Sequence, residues 1–146
     1  MLKIYLDNCC YSRPFDDLTQ EKVNLEAKAI EVILGKHIRK ELEIYKSMAI
    51  DFEMSKIKDP DKKMQVEDLY NALNLVEINY SQKIRERAIE LREYNIKDMD
   101  ALHIAFAESI VIDYLITTDK PMLSSSKRVD LKSKVINPIE FIMEVV

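Results

Sequence analysis

Asp98-Met99-Asp100-Ala101-Leu102-His103-Ile104-Ala105-Phe106-Ala107-Glu108, followed closely by Tyr114-Leu115-Ile116-Thr117-Thr118-Asp119, decides the fold. Ala101, Leu102, Ile104, Ala105, Phe106 and Ala107 leave almost no polar face, so the first segment is expected to be a helix covered nearly all round. Asp98 suits the N-cap, which puts Asp100 in the first turn. There the helix dipole and the free N–H groups favour a carboxylate. Tyr114 to Ile116 is a short apolar run that reads as a buried strand delivering Asp119 just past its carboxyl end. Sites in open α/β sheets form at the carboxyl ends of strands. Two acids on two adjacent buried elements point to a metal site rather than a solvated face.

Working outward, Met1 to Leu6 is a second apolar strand that ends in an acid, Asp7, followed by Asn8. Cys9 to Asp17 is expected to be a loop, with Asp17 capping the next helix and Gln20 reaching back as its capping-box partner. Val23, Ala27, Ile30 and Leu34 recur at helical spacing. Gly35 either ends that helix or lies inside a longer one running to Arg39. Leu42 to Ser47 favours a strand, Ser47 to Lys56 a short helix carrying Asp51 and Glu53. Asp59-Pro60 is a cap-and-proline start for the helix bearing Met64, Val66, Leu69, Tyr70 and Leu73. Leu75 to Ile78 is an edge-strand candidate. Ser81 caps a helix with Ile84, Ala88 and Leu91 on one face, and Asn95 suits a left-handed stop.

Beyond the opening stretch, Pro121 starts a brief turn or helix, and Ser124 to Lys134 is expected to be polar and mobile. Lys134 to Ile136 is a last strand, and Asn137-Pro138 starts a helix over Ile139 to Val145. Strands alternating with helices imply an α/β fold: three layers, α/β/α, around a short, mostly parallel sheet covered on both faces.

The 146 residues suit one domain, residues 1–146, with enough length to bury a core. No apolar run approaches membrane-spanning length and the first residues lack signal-peptide features, so no membrane association and a cytoplasmic location are the expectations. Adjacent Cys9 and Cys10 make a poor cross-link and read as reduced thiols. With His37 and His103 they lack zinc-ligand spacing. A formal net charge of −4 does not attract nucleic acid, so binding to it needs a local basic patch. The run Lys36, His37, Arg39, Lys40 and Lys46 is either a solvated face or an RNA-binding rim. With a single glycine, Gly35, the chain has no phosphate-cradling Gly-rich loop and no dinucleotide fingerprint.

Four acids fall where they can share a cleft: Asp7, Glu53, Asp100 and Asp119. Hard divalent cations such as Mg²⁺ and Mn²⁺ take oxygen ligands, and several carboxylates in one cleft supply them. Tyr5-Leu6-Asp7-Asn8, the Glu53 helix, Asp100-Ala101-Leu102-His103-Ile104-Ala105 and Leu115-Ile116-Thr117-Thr118-Asp119, in this order, resemble the PIN-domain family. These are small α/β metal-dependent nucleases, many of them ribonucleases and many the toxin halves of toxin–antitoxin pairs.

The resemblance spans nearly the whole chain. It implies that Asp7, Glu53, Asp100 and Asp119 form the catalytic, metal-holding quartet, with Asn8 and Thr117 in support. The implied cofactor is Mg²⁺ or Mn²⁺, which lowers the pKa of a bound water for in-line attack on an RNA phosphodiester. RNA is the implied substrate, and an antitoxin protein and a homodimer are the partnerships the family brings. Arg13 and Lys120 flank acids and are candidates to meet phosphates or to pair with those acids. His103 reads as a packed, hydrogen-bonded histidine rather than a general base. The rival reading from another class is a non-catalytic PIN-like module that binds RNA or protein. A receiver-like phosphoacceptor ranks last, because it expects paired acids after the first strand where this chain has only Asp7.

Overall fold

The computed structural model describes residues 1–146. Five parallel strands form one sheet in the order β3-β2-β1-β4-β5: β1 Lys3–Leu6, β2 Glu43–Lys46, β3 Val76–Glu77, β4 Tyr114–Ile116 and β5 Lys134–Ile136. The expected "mostly parallel" sheet is thus wholly parallel. Ile4, Tyr5 and Leu6 are all fully buried, as a central strand covered on both faces requires. β2 and β3 extend the sheet on one side of β1, β4 and β5 on the other. With right-handed crossovers, this reversal sends the connecting helices to opposite faces and gives the α/β/α sandwich. α1 (Asn8–Ser12), α2 (Glu21–Ile38), α3 (Met48–Ser55) and α4 (Pro60–Ala72) lie in the β1–β3 half of the chain. α5 (Gln82–Arg92) and α6 (Asp98–Ser109) pack closely against each other, and α7 (Lys120–Ser125) and α8 (Pro138–Val145) complete the set, α8 packing on α2.

The reversal of strand order falls between β1 and β4. Leu6 pairs with Ile116, so Asp7 and Thr117 leave the sheet side by side. The Asp7 N–H donates to the Ile116 carbonyl at 2.9 Å and holds that register. Such a switch point opens a crevice, because the chain departs in opposite directions from the two strand ends.

Several local expectations fail for identifiable reasons. Cys9 to Asp17 is no open loop. Asp7 caps α1 by accepting from the Asn8 N–H, and a 3₁₀ turn over Arg13–Phe15 follows. Asp17 does not cap α2. Its carboxylate is taken by the Thr19 N–H and hydroxyl, and Gln20 stands at the N-cap with no side-chain bond. Asp98 is the first helical residue rather than the cap, which is Lys97, and pairs with Arg92 at 2.7 Å. Asp100 is nonetheless in the first turn of α6. Gly35 lies inside α2, which runs to Ile38. Ser124 to Lys134 is more ordered locally than a plain loop: Ser125, Ser126 and Ser133 are buried and a 3₁₀ turn spans Ser126–Arg128. The Lys132 N–H is held by Glu108 at 2.8 Å.

Candidate metal centre

Four elements converge on the crevice. β1 delivers Asp7, α3 carries Glu53, the first turn of α6 presents Asp100, and the residue after Thr117-Thr118 is Asp119. All four acids line one cleft of about 670 Å³, together with Asn8, Cys9, Arg13, Gln20, Lys22, Glu26, Thr118 and Lys120. The lining is almost entirely polar, which suits a hydrated or anionic ligand better than an apolar one.

The acids divide into held and free. Asp7 is buried, with Oδ1 accepting from the Asn8 N–H at 2.7 Å and Oδ2 accepting from the Thr117 hydroxyl at 2.7 Å. Thr117 Oγ1 in turn accepts from the Asp119 N–H at 3.0 Å, so one hydroxyl ties the ends of β1 and β4 together. The Cys9 thiol also donates toward Asp7 Oδ2 at 3.4 Å. Asp119 makes no side-chain capping bond to α7, and its carboxylate stands open to the cleft. Asp100 is half-buried. Burial first, then the charges of Asp119 and Asp7, push its carboxyl up to about 6, against a smaller lowering by His103. Burial and neighbouring negative charge both disfavour the ionised form, and a cation nearby would favour it.

His103 has a larger place than its position in the sequence indicates. It is 1% exposed. Its Nε2 hydrogen-bonds the Glu53 carboxylate and lies 3.6 Å from Asp7 Oδ1. Its Nδ1 meets the Tyr5 hydroxyl at 2.6 Å, and that hydroxyl meets Ser47 Oγ at 2.6 Å. Burial lowers the imidazole's affinity for a proton, but the Glu53 bond and the charges of Asp7, Glu53 and Asp100 outweigh it, and the net shift is upward. The reading as a packed, hydrogen-bonded histidine is consistent with this. Spacing on one helix could not reveal its partners, which come from β1 and α3.

The two cations singled out from the sequence differ. Arg13 donates to Asp16 at 3.0 Å and Thr118 Oγ1 at 2.9 Å, and pairs with buried Glu26 at 3.3 Å. It is committed to joining α2 to the end of β4. Lys120 is exposed on the cleft wall with no acid paired to it. Lys22, in the first turn of α2, lines the same wall, and no sequence motif marks it. The basic run at the other end of that helix does not rim the cleft. α2 is 18 residues long, roughly 27 Å of helix. Arg39 and Lys40 follow it toward β2, whose first residue Glu43 pairs with Lys3 at the opposite end of the strands. Arg39 is paired with Glu41, and Lys46 lies over the Tyr70 ring.

A family model described as PIN domain matches residues 4–124, most of the chain, including all four acids. The chain belongs to the PIN-domain family. PIN domains form a nuclease superfamily, generally bind RNA and usually use a divalent metal. The comparison with curated proteins finds no match. No helix of this PIN domain is long and apolar enough to cross a membrane.

Proposed function

We propose that this PIN domain is a divalent-metal-dependent endoribonuclease whose metal-holding acids are Asp7, Glu53, Asp100 and Asp119, with Mg²⁺ or Mn²⁺ as the ion. The observation that carries the reading is the convergence of four carboxylates from four elements on one polar cleft. The donor set fits a hard or borderline cation: several carboxylate oxygens, two of the acids free of other partners. When bound, such an ion lowers the pKa of water and offsets charge on a phosphoryl oxygen.

The chain's own residues do the rest. Thr117 and the Asn8 N–H hold Asp7 in one orientation, so no reorganisation is needed on binding. Lys22 and Lys120 stand on the cleft wall where they can draw in and orient a phosphate backbone. The test is cleavage of a mixed-sequence single-stranded RNA by the full chain with Mn²⁺, with Mg²⁺ and with EDTA, beside Asp119→Asn. Cleavage with metal that is lost in EDTA and in the variant is the expected result. Equal cleavage in chelator removes the metal-dependent reading, and binding without cleavage favours a non-catalytic module.

A further inference from the structure

One imidazole nitrogen, buried behind the cleft, lies within reach of two of its carboxylates. Resting on the metal-dependent reading above, we propose that His103 Nε2 is a direct metal ligand. With Asp7 and Glu53 it completes a two-carboxylate, one-imidazole site that selects Mn²⁺ or a similar first-row transition ion over Mg²⁺.

One donor atom from each of Asp7, Glu53 and His103 lies within 4.8 Å of the others. The 3.6 Å from Nε2 to Asp7 Oδ1 is too long for a hydrogen bond. It is close to the spacing of neighbouring donors around one ion, roughly 3.0–3.5 Å when each stands about 2.1 Å from the metal.

The ring is braced as a ligating imidazole is usually braced, through its other nitrogen. Nδ1 is held by Tyr5 Oη, and Tyr5 Oη by Ser47 Oγ, with all three residues buried. Ser47 Oγ also accepts from the Ile50 N–H at the start of α3, the helix that carries Glu53. One buried chain of hydrogen bonds therefore fixes both the imidazole and the helix of its partner acid. Without metal, Nε2 shares a proton with the Glu53 carboxylate, and a cation would have to displace that proton. With Tyr5 donating to Ser47, the imidazole keeps its Nδ1 proton, and Nε2, Glu53 and Asp7 would then be the three donors to the ion.

Selectivity follows from ligand type. Oxygen-only sets take Mg²⁺ and Mn²⁺ alike, whereas an imidazole nitrogen favours transition ions, and Mg²⁺ gives up its waters reluctantly. The bland rival is that His103 only holds Glu53 in place.

Pulsed electron paramagnetic resonance of the full chain loaded with Mn²⁺ separates the two. Ligation predicts nitrogen modulation from a directly bound imidazole in the wild type and its loss in His103→Gln. The other histidine, His37, is committed to the Leu73 carbonyl and the Ile44 N–H at the far end of α2. Calorimetry on Tyr5→Phe, which keeps the imidazole and removes its brace, should show Mn²⁺ affinity lower by on the order of 10-fold or more, with Mg²⁺ affinity little changed. Mn²⁺ that binds without nitrogen modulation, or modulation that survives His103→Gln, overturns the ligand assignment and leaves the metal-dependent reading standing. Binding of Mg²⁺ without Mn²⁺ overturns the proposal alone, and failure to bind either ion overturns both.

Discussion

Asp100→Asn should make the metal-free protein more stable near neutral pH and leave it unchanged in acid. The unfolded aspartate ionises near pH ~3.9, whereas in the fold burial, Asp119 and Asp7 push it up to about 6. Below pH ~3 the carboxyl is protonated in both states and contributes nothing. As pH rises between these values, the unfolded chain releases its proton first. The folded state then holds more protons, so stability falls with pH, and the full penalty is present above about pH 7. The shift of roughly two units sets a ceiling of about 3 kcal/mol. Asp100 is only half-buried in an open cleft, and solvent screening reduces the figure to about 1 kcal/mol. Asparagine keeps the shape and removes the charge.

The assay is urea unfolding of both proteins in EDTA at pH 7.5 and pH 4, read as the difference between them so that other acids cancel. A gain of about 1 kcal/mol, some 2–4 °C in Tm for a chain of this size, should appear at pH 7.5 and fall to a small fraction of that at pH 4. Saturating Mn²⁺ should then reverse the order, since an ion at 100 times its Kd adds about 2.7 kcal/mol to the form that binds it. An Asn variant that is less stable at pH 7.5, or whose gain is equal at both pH values, refutes the electrostatic argument and makes Asp100 a helix-start residue.

Two other changes probe different parts of the molecule. Lys22→Glu with Lys120→Glu should weaken RNA binding and flatten its salt dependence, by roughly 0.7 in log–log slope for each phosphate no longer neutralised, whereas Arg39→Glu with Lys40→Glu should leave both as they are. Fluorescence anisotropy across a KCl series decides it, and the opposite pattern would move the RNA path to the far end of α2. Val111→Gly should stabilise by about 1 kcal/mol in urea unfolding. Val111 has φ 55° at the end of α6, where the Ile112 N–H returns to the Ala107 carbonyl at 2.9 Å, a left-handed stop that suits glycine and not a β-branched side chain. No gain would mean that the site tolerates valine without strain.

Which parts of the fold can be read in the sequence follows from the range of the signals. Strands β1 and β4 and the buried α6 are legible because each is a short apolar run with an acid at a fixed place. Asp59, Ser81 and Asn137 are legible as caps because capping is a contact over two or three residues. The failures are competitions that local pattern cannot judge. Asp17 has a nearer partner in Thr19, and Asp98 has Arg92 across from α5. The serines near 125 look like loop residues until the fold packs over them. Arg13 looks like a phosphate contact because Glu26, thirteen residues on, is invisible as its partner in one dimension. The basic run misleads for the same reason: clustering in sequence says nothing about which end of a helix faces the cleft.

The geometry at the switch point also explains why one acid is tied down and two are left free. Asp7 sits where β1 and β4 part, so any looseness there would spread to both strands. Its two oxygens are held by α1 and by Thr117, and this stabilises the sheet end whether or not an ion is present. Asp100 and Asp119 come from helix starts beyond the sheet, where a charge can stay partly solvated without disturbing the core. Burial and the charges of Asp119 and Asp7 push up the Asp100 carboxyl at a place where the core does not depend on it. A cation entering the cleft meets one fixed donor and two unengaged ones. Under the proposed reading it would gain their attraction with the Asp7 bonds to Asn8 and Thr117 intact, giving up only the Glu53–His103 bond, so an ion could be bound and exchanged without unfolding the sheet end.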